Sequence, residues 1–223
     1  DSNIATATVT VAAVNDAPEA PDASKSTNED TEFTIGFDLN GTNSNIHVTD
    51  VDSNSGTFTI VSQPSNGTFN VGGISNGGIV GVDGAVSVGV SYTPNANWNG
   101  TDTFTYKFND GSSDSNIATV TITVAAVNDA PTSENEGITT NEDTAVRTGF
   151  SSSDIDGDDL TYIVVTQPSN GTVTIDNSNN EPGLYTPNAN WNGTDTFTYK
   201  ANDGELDSNI ATATVTVAAV NDA

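Results

Sequence analysis

The chain uses one sequence unit twice, and this repetition constrains its fold more than any other feature. Five blocks recur in a fixed order: DSNIAT at 1, 114 and 207; VNDA at 14, 127 and 220; NEDT at 28 and 141; QPSNGT at 63 and 167; and YTPNANWNGTDTFTYK at 92 and 185. The distance between copies shrinks along the chain, so the first copy carries two insertions. We therefore predict two domains, at 18–130 and 131–223, with the longer loops in the first.

The opening segment repeats the closing one. DSNIATATVTVAAVNDA fills both 1–17 and 207–223, whereas the middle copy at 114–130 differs from it. Because this stretch ends a repeat, residues 1–17 are predicted to be the last strand and linker of a preceding repeat. The sequence is then a fragment internal to something longer.

Alternation of apolar and polar residues predicts short strands. Phe104, Tyr106 and Phe108 alternate with Thr and Lys, and the stretch from Ala118 to Ala126 alternates in the same way. A period of two marks a strand with one buried face. Asn-Gly and Asp-Gly pairs, which favour tight hairpin turns, separate these stretches. About seven strands per repeat predict an all-β fold of two tandem Greek-key β-sandwiches.

The charge is strongly one-sided. Thirty acidic residues face four basic ones, which gives a net charge of −26, and the chain has no cysteine. Such a surface repels nucleic acid and anionic lipid and attracts cations. No apolar stretch is long enough to cross a bilayer, and no secretion leader precedes the first strand. We therefore expect no nucleic-acid partner and no direct membrane insertion.

Acidic residues cluster near the predicted loops, and this clustering indicates a metal. Carboxylates with few basic neighbours repel one another, and Ca²⁺, which takes six to eight oxygen ligands, relieves that repulsion. Zn²⁺ is disfavoured because His47, expected at the surface, is the only histidine. The alternative is that these acids cap turns. The candidate metal ligands among these acids are Asp16, Glu29, Asp50, Asp52, Asp102, Asp110, Asp129, Glu142, Asp154, Asp156, Asp195 and Asp203.

Together, the VNDAP linker, the early acidic pair, the D-x-D motif, the PNANWNG loop with its F-x-Y strand, and N-D-G resemble the cadherin-like and Ig-like tandem repeats of giant bacterial surface proteins, including repeats-in-toxin adhesins. In cadherins Ca²⁺ sits between successive domains. The resemblance implies an intact junction formed by Glu29, Asp102, Asn128, Asp129, Asp154, Asp156 and Asp203. It implies the lower half of another at Asp16, Asp50, Asp52 and Asp110. The first repeat reads DVDSNS where the second reads DIDGDD, so its site is expected to be weaker.

No nucleophile with a base is apparent, so we expect no enzyme. Trp98 and Trp191 invite a sugar-stacking interpretation, but their repeated loop favours a plug at one end of the core. The leading hypothesis is a calcium-stiffened spacer in a long extracellular adhesin or fibre at the cell surface, whose partners are neighbouring repeats. One alternative is a glycan- or protein-binding module that uses the Gly-rich insertion at 71–90 and the His47 loop. Another is a filament subunit that assembles by strand addition of residues 4–11.

Overall fold

The computed structural model describes residues 3–41, 46–71, 74–75, 79–82, 88–177 and 181–221. These residues contain strands and turns and no α-helix. No helix in this described part is long and apolar enough to cross a membrane. The chain divides into two compact units, Asp1–Val127 and Asn128–Ala223. The all-β prediction of two tandem Ig-like or cadherin-like domains is confirmed.

The first unit is a sandwich of two five-stranded sheets. One sheet has the order β1-β10-β9-β4-β7, and the other has the order β3-β2-β8-β5-β6. Most neighbours are antiparallel, but β1 runs parallel to β10 and β2 runs parallel to β3. The strands are β1 Ala23–Asn28, β2 Phe33–Leu39, β3 Ile46–Val48, β4 Gly56–Ser62, β5 Gly67–Val71, β6 Ile74–Ser75, β7 Ile79–Val82, β8 Val88–Pro94, β9 Gly100–Asn109 and β10 Ala118–Ala125.

The second unit has the same plan with smaller sheets. Its strands form a four-stranded sheet β12-β19-β18-β15, a three-stranded sheet β13-β17-β16 and a two-stranded sheet β11-β14. As in the first unit, the first strand of the main sheet, β12, runs parallel to the last, β19. The strands are β11 Thr132–Ser133, β12 Glu136–Asn141, β13 Val146–Arg147, β14 Ser152–Ser153, β15 Thr161–Thr166, β16 Gly171–Asp176, β17 Glu181–Pro187, β18 Gly193–Asn202 and β19 Ala211–Ala218.

The alternating residues form the cores as predicted. Phe104, Tyr106 and Phe108 of β9 are fully buried, and the apolar residues of β10 lie beside them. Phe37 of the opposite sheet packs edge-on against Tyr106, with ring centroids 5.0 Å apart. Ala126 is the exception to the predicted alternation: it is exposed because β10 ends one residue earlier. Side chains from both sheets therefore close each sandwich around one apolar core.

Each tryptophan packs on the edge of its core. Trp98 and Trp191 are partly buried against the two hydrophobic clusters. The ring of Trp98 lies over Gly100, where an added Cβ would meet Cζ2 at 3.0 Å, and Gly100 has a φ of +140° that glycine tolerates best. Gly193 repeats this geometry beneath Trp191. The predicted core plug, rather than an open sugar platform, is what these two loops form.

The opening segment forms no strand in this chain. Residues 3–17 have no regular secondary structure, and Ile4 is 97% exposed. In its identical copy at the C-terminus, Ala211, Ala213, Val215 and Val217 are buried in β19. The same sequence is therefore buried in one place and exposed in the other.

Candidate metal centre

The acidic loop of the second unit is held in a tight turn by its first aspartate. Asp154 Oδ1 accepts hydrogen bonds from the backbone N–H groups of Asp156, at 2.9 Å, and Gly157, at 3.1 Å. Gly157 adopts a φ of +83°. Carboxylate oxygens of Asp154, Asp156 and Asp158 all lie within 4.8 Å of one another. The turn therefore gathers three negative groups at one point.

The proximity of these three carboxylates affects their electrostatic environment. The pKa of Asp158 is raised by desolvation and by the negative charges of Asp154 and Asp156. Asp154 Oδ2 is buried and accepts no hydrogen bond from the described residues. A buried acceptor without a donor, beside two further carboxylates, is suited to coordinate a cation.

The linker of the second unit is bonded to the same loops. Asn128 Nδ2 donates to Asp203 Oδ2 at 2.9 Å, and the backbone N–H of Asp129 donates to Asp156 Oδ2 at 2.8 Å. Asp203 Oδ1 accepts from the N–H of Leu206 at 2.6 Å. The bond from Leu206, followed by the one from Asn128, lowers the pKa of Asp203. Asn128, Asp129, Asp156 and Asp203, all predicted ligands, thus lie together in one unit.

The first unit repeats this arrangement residue for residue. Asn15 Nδ2 donates to Asp110 Oδ2 at 3.0 Å, and the N–H of Asp16 donates to Asp52 Oδ2 at 2.8 Å. The N–H of Ser113 and the side chain of Asn15 lower the pKa of Asp110. In the first unit, Asn15 and the backbone of Asp16 thus contact Asp110 and Asp52 of the predicted half-site, but its described residues contain no group of three carboxylates as close together as Asp154, Asp156 and Asp158.

Asp50 is the most enclosed of these acids. It is 9% exposed, its Oδ1 accepts from the N–H groups of Asp52 and Ser53 at 2.8 Å, and its buried Oδ2 has no hydrogen-bond partner within the described part of the chain. Asn40, from the first insertion, bonds both the N–H and the C=O of Asp50 through its side chain. Asp16, Asn40 and Asp50 line a pocket of about 390 Å³.

In each unit, the glutamate of the early acidic pair accepts a hydrogen bond from the VNDA linker that follows the last strand. Glu29 Oε1 accepts from the N–H of Val127 at 2.6 Å, and Glu142 Oε1 accepts from the N–H of Val220. Asp110 precedes β10 and Glu29 bonds the chain beyond its end, so the two acids lie at opposite ends of this strand. Within one unit, the structure therefore does not bring Glu29 or Glu142 to the acidic loop.

Asp102 and Asp195 need a correction, because their carboxylates serve the sandwich itself. Asp102 is 3% exposed, and its two oxygens accept from the N–H groups of Ser65, Asn66 and Thr103 and from the Tyr92 hydroxyl. Asp195 has the equivalent partners Ser169, Asn170, Thr196 and Tyr185. Four donors occupy each carboxylate, so these acids hold the Asn-Gly turn to the aromatic strand.

The donor set suits a hard cation. The clustered groups are aspartates with an asparagine carbonyl at the linker, and no imidazole or thiol lies among them, which fits Ca²⁺ and not Zn²⁺. The turn-capping alternative is also partly right, since one oxygen of Asp154 and one of Asp203 cap backbone N–H groups. His47 is less exposed than predicted: its side chain is 33% exposed and hydrogen-bonded to buried Asp38.

Two tandem sandwiches with acidic linker loops define the class of Ig-like and cadherin-like repeat domains. The family model for the bacterial Ig domain matches residues 15–123 and, a second time, 128–217. The chain therefore belongs to the bacterial Ig domain family. Domains of this family are typically extracellular structural repeats, and Ig-like and cadherin-like folds are typically non-enzymatic.

Solved structures give only distant likenesses. The human mucin-like protocadherin EC1-2 shares 18% identity at a TM-score of 0.49, over 91% of this chain and 98% of that one. The human desmocollin-1 ectodomain shares 14% identity at 0.43, over 92% and 42%. An endo-fucoidan hydrolase of glycoside hydrolase family 107 shares 18% at 0.37, over 92% of this chain and only 29% of the enzyme. No curated protein matches the chain significantly.

Proposed function

We propose that this chain is a pair of calcium-stiffened spacer repeats from a long extracellular bacterial adhesin or surface fibre. The proposal rests on the convergence of carboxylate oxygens from Asp154, Asp156 and Asp158, beside a buried Oδ2 of Asp154 that has no hydrogen-bond partner among the described residues. Family membership supports the structural role, because bacterial Ig domains are typically repeats of surface proteins.

In the second unit, the calcium ligands would come from Asp154, Asp156, Asp158 and Asp203 and from the linker residue Asn128. When bound, Ca²⁺ supplies positive charge that offsets the repulsion among these carboxylates. The chain's own residues shape the site: the turn around Asp154 fixes its spacing, and the bond from Asp129 N–H orients Asp156.

The first unit offers a second, more enclosed site. Its ligands would be Asp16, Asp50, Asp52 and Asp110, with the unpartnered Oδ2 of Asp50 as the innermost group. It has fewer carboxylates than the second site because Ser53, Asn54 and Ser55 replace Gly157, Asp158 and Asp159. We therefore propose that it binds Ca²⁺ more weakly.

Stiffening would follow from the way the VNDA linker is held. Within the first unit Glu29 bonds the N–H of Val127, and within the second unit Asn128 and Asp129 bond the acidic loops. Because Val127 is bonded by the first unit and Asn128 and Asp129 by the second, we propose that this linker has little freedom to rotate. Without Ca²⁺, repulsion among the loop carboxylates weakens the second half of this anchorage.

Residues 1–17 fit the same scheme as the closing strand of another repeat. Ala5, Ala7, Val9 and Val11 correspond to the buried side chains of β19, and Asn15 and Asp16 already bond the first unit as a linker. Exposure of Val9 and Val11, at 82% and 86%, is the state expected of a strand separated from its sheet.

The test compares Asp154→Asn with a matched loss of charge elsewhere. Asp154→Asn removes the innermost carboxylate of the second site, whereas Glu134→Gln neutralises an exposed acid of the same unit. Calorimetric titration with Ca²⁺ and small-angle scattering with and without EDTA should show one lost binding event and a more flexible chain for Asp154→Asn alone. Equal binding by both variants, or a wild-type chain whose scattering ignores EDTA, would contradict the proposal.

Two alternative functions were predicted from the sequence, a ligand-binding module and a filament subunit. The ligand-surface hypothesis concerns the insertion at 71–90, much of which lies outside the described residues, and it stays a prediction. The filament hypothesis concerns residues 4–11, whose exposure is equally expected for the spacer, and it too stays a prediction. Polymers that form with rising protein concentration and vanish on deletion of residues 1–17 would favour a filament over a spacer.

A further inference from the structure

The two units differ at the outer edge of the sheet that carries the long aromatic strand. In the first unit β4 pairs with β9, and in the second the equivalent strand β15 pairs with β18. Phe58 of β4 and Tyr162 of β15 occupy the same position, five residues before the shared QPSNGT block. The outer side of these two strands is covered in different ways.

In the first unit, a strand from the insertion covers this edge. β7 runs antiparallel to β4, with Phe58 opposite Val80 and Gly56 opposite Val82. The backbone groups that β4 presents on its outer side therefore face another strand. The second repeat lacks the insertion, and among its described residues β15 pairs with β18 alone.

In the second unit, one side chain takes the place of that strand. Asn177 Oδ1 accepts from the N–H of Tyr162 at 3.0 Å, and Asn177 Nδ2 donates to the C=O of Tyr162 at 3.1 Å. A carboxamide carries the same donor and acceptor as a peptide group, so this pair of bonds imitates one rung of a β-ladder. Asn177 follows directly after β16, at the loop that replaces the insertion.

Without Asn177 this edge would suit another strand. β15 reads TYIVVT, with strong strand formers, no charge and no proline, and Ile163 and Val165 are 42% and 41% exposed. The ladder is regular from Thr161 to Val164 and shifts register between Val164 and Thr166. The regular part of this uncharged edge is a template for pairing with another chain. The alternation of an antiparallel ladder directs the backbone groups of Val164 outward together with those of Tyr162.

We propose that Asn177 blocks the edge of β15 against pairing with β15 of a second copy of this chain. The occupant follows from symmetry, because two identical edges related by a twofold axis meet antiparallel, the sense in which β7 meets β4. This role is independent of calcium and of the spacer function, and it concerns how crowded repeats on neighbouring molecules stay separate.

The test removes the block in the full chain. Asn177→Ala should self-associate at least about tenfold more tightly than wild type in sedimentation equilibrium, measured at high salt to screen the net charge. Asn177→Ala combined with Val165→Lys should be monomeric again, because a lysine on an edge strand opposes pairing. As a matched control, Asn135→Ala removes a side-chain bond to the N–H of Thr212 without uncovering β15, and it should stay monomeric.

Amide exchange supplies a readout that does not depend on the variants folding. In wild type, the Tyr162 amide should exchange more slowly than the Val164 amide. Equal exchange at Tyr162 and Val164, monomeric Asn177→Ala across the concentration range, or association that survives Val165→Lys would each overturn the proposal.

Discussion

The two units share a scaffold but balance core and charge differently. Among described residues, the first unit buries seven large aromatic side chains and the second buries four: Phe37, Phe58, Phe69, Tyr92, Phe104, Tyr106 and Phe108 against Phe150, Tyr185, Phe197 and Tyr199. The number of loop carboxylates shows the opposite trend, because DIDGDD of the second unit contains more aspartates than DVDSNS of the first. The unit with the smaller aromatic core therefore bears the greater repulsion and has more to gain from a cation.

Calcium removal should give the largest difference between the units. In EDTA the second unit should unfold well before the first, because bound ligand at 100 times its Kd stabilises a domain by about 2.7 kcal/mol. Each unit contains one tryptophan, so Trp98→Phe and Trp191→Phe variants report the units separately by fluorescence. Units that melt together with and without EDTA would contradict this asymmetry.

An exchange of loop charges should move affinity between the sites. Asp158→Asn should weaken calcium binding at the second site by about tenfold, and Asn54→Asp at the matching position should strengthen the first site, because ligand charge sets calcium affinity. Calorimetric titration of both variants measures the two changes. If neither affinity moves, the difference between the loops is not electrostatic.

Acidification should affect the calcium-free second unit in two stages. The raised pKa of Asp158 means that its charge destabilises the folded state, so protonation as the pH falls from neutrality should raise the melting temperature. The lowered pKa of Asp203 has the opposite sign: its stabilisation is present above the unfolded pKa and is lost as the pH falls through the folded value.

Melting curves of the second unit in EDTA should therefore pass through a maximum in the acidic range. Asp158→Asn should remove the rising part and leave the fall at lower pH. A variant that keeps the full rise would show that another group causes it.

Loss of the linker asparagines should have the smallest effect. Asn128→Ala removes an uncharged ligand and its bond to Asp203, and Asn15→Ala removes the equivalent bond to Asp110. Each should lower calcium affinity only a few-fold, because neither change removes a carboxylate charge. Titration should find the larger loss for Asn128, whose site carries more charge. A greater loss for Asn15 would reverse the comparison.

The repeated sequence predicts much of the fold, because period-two alternation fixed the faces of β9, β10, β18 and β19. It does not predict the two-residue strands such as β11 and β14, which exist only through their mutual pairing. The prediction that Asp102 and Asp195 bind metal was wrong. An aspartate beside an aromatic strand looks the same in sequence whether it binds a metal or accepts hydrogen bonds from a turn. One sequence signal could have revealed this role: QPSNGT and the Tyr that opens YTPN recur together with the aspartate. In the structure, Ser65 and Asn66 of QPSNGT and the Tyr92 hydroxyl all donate hydrogen bonds to Asp102.

The acidic loops were more accessible to sequence reasoning because D-x-D and N-D-G carry their own turn chemistry. Asp154 and Asp203 bond backbone groups two or three residues ahead, so their geometry is local. Asn177 lay beyond such reasoning, because its partner Tyr162 is fifteen residues away and its importance depends on the missing β7.

The linker anchors have an evolutionary consequence. Glu29 and Glu142 accept hydrogen bonds from the valine N–H of two VNDA copies, and Asp110 and Asp203 accept from the asparagine side chains of two. The repeats therefore reuse the same linker bonds. Unequal crossing-over between copies can then lengthen or shorten an array while each new joint inherits a working set of bonds. The length of such an array could then change by recombination alone, without selection for a new contact between repeats.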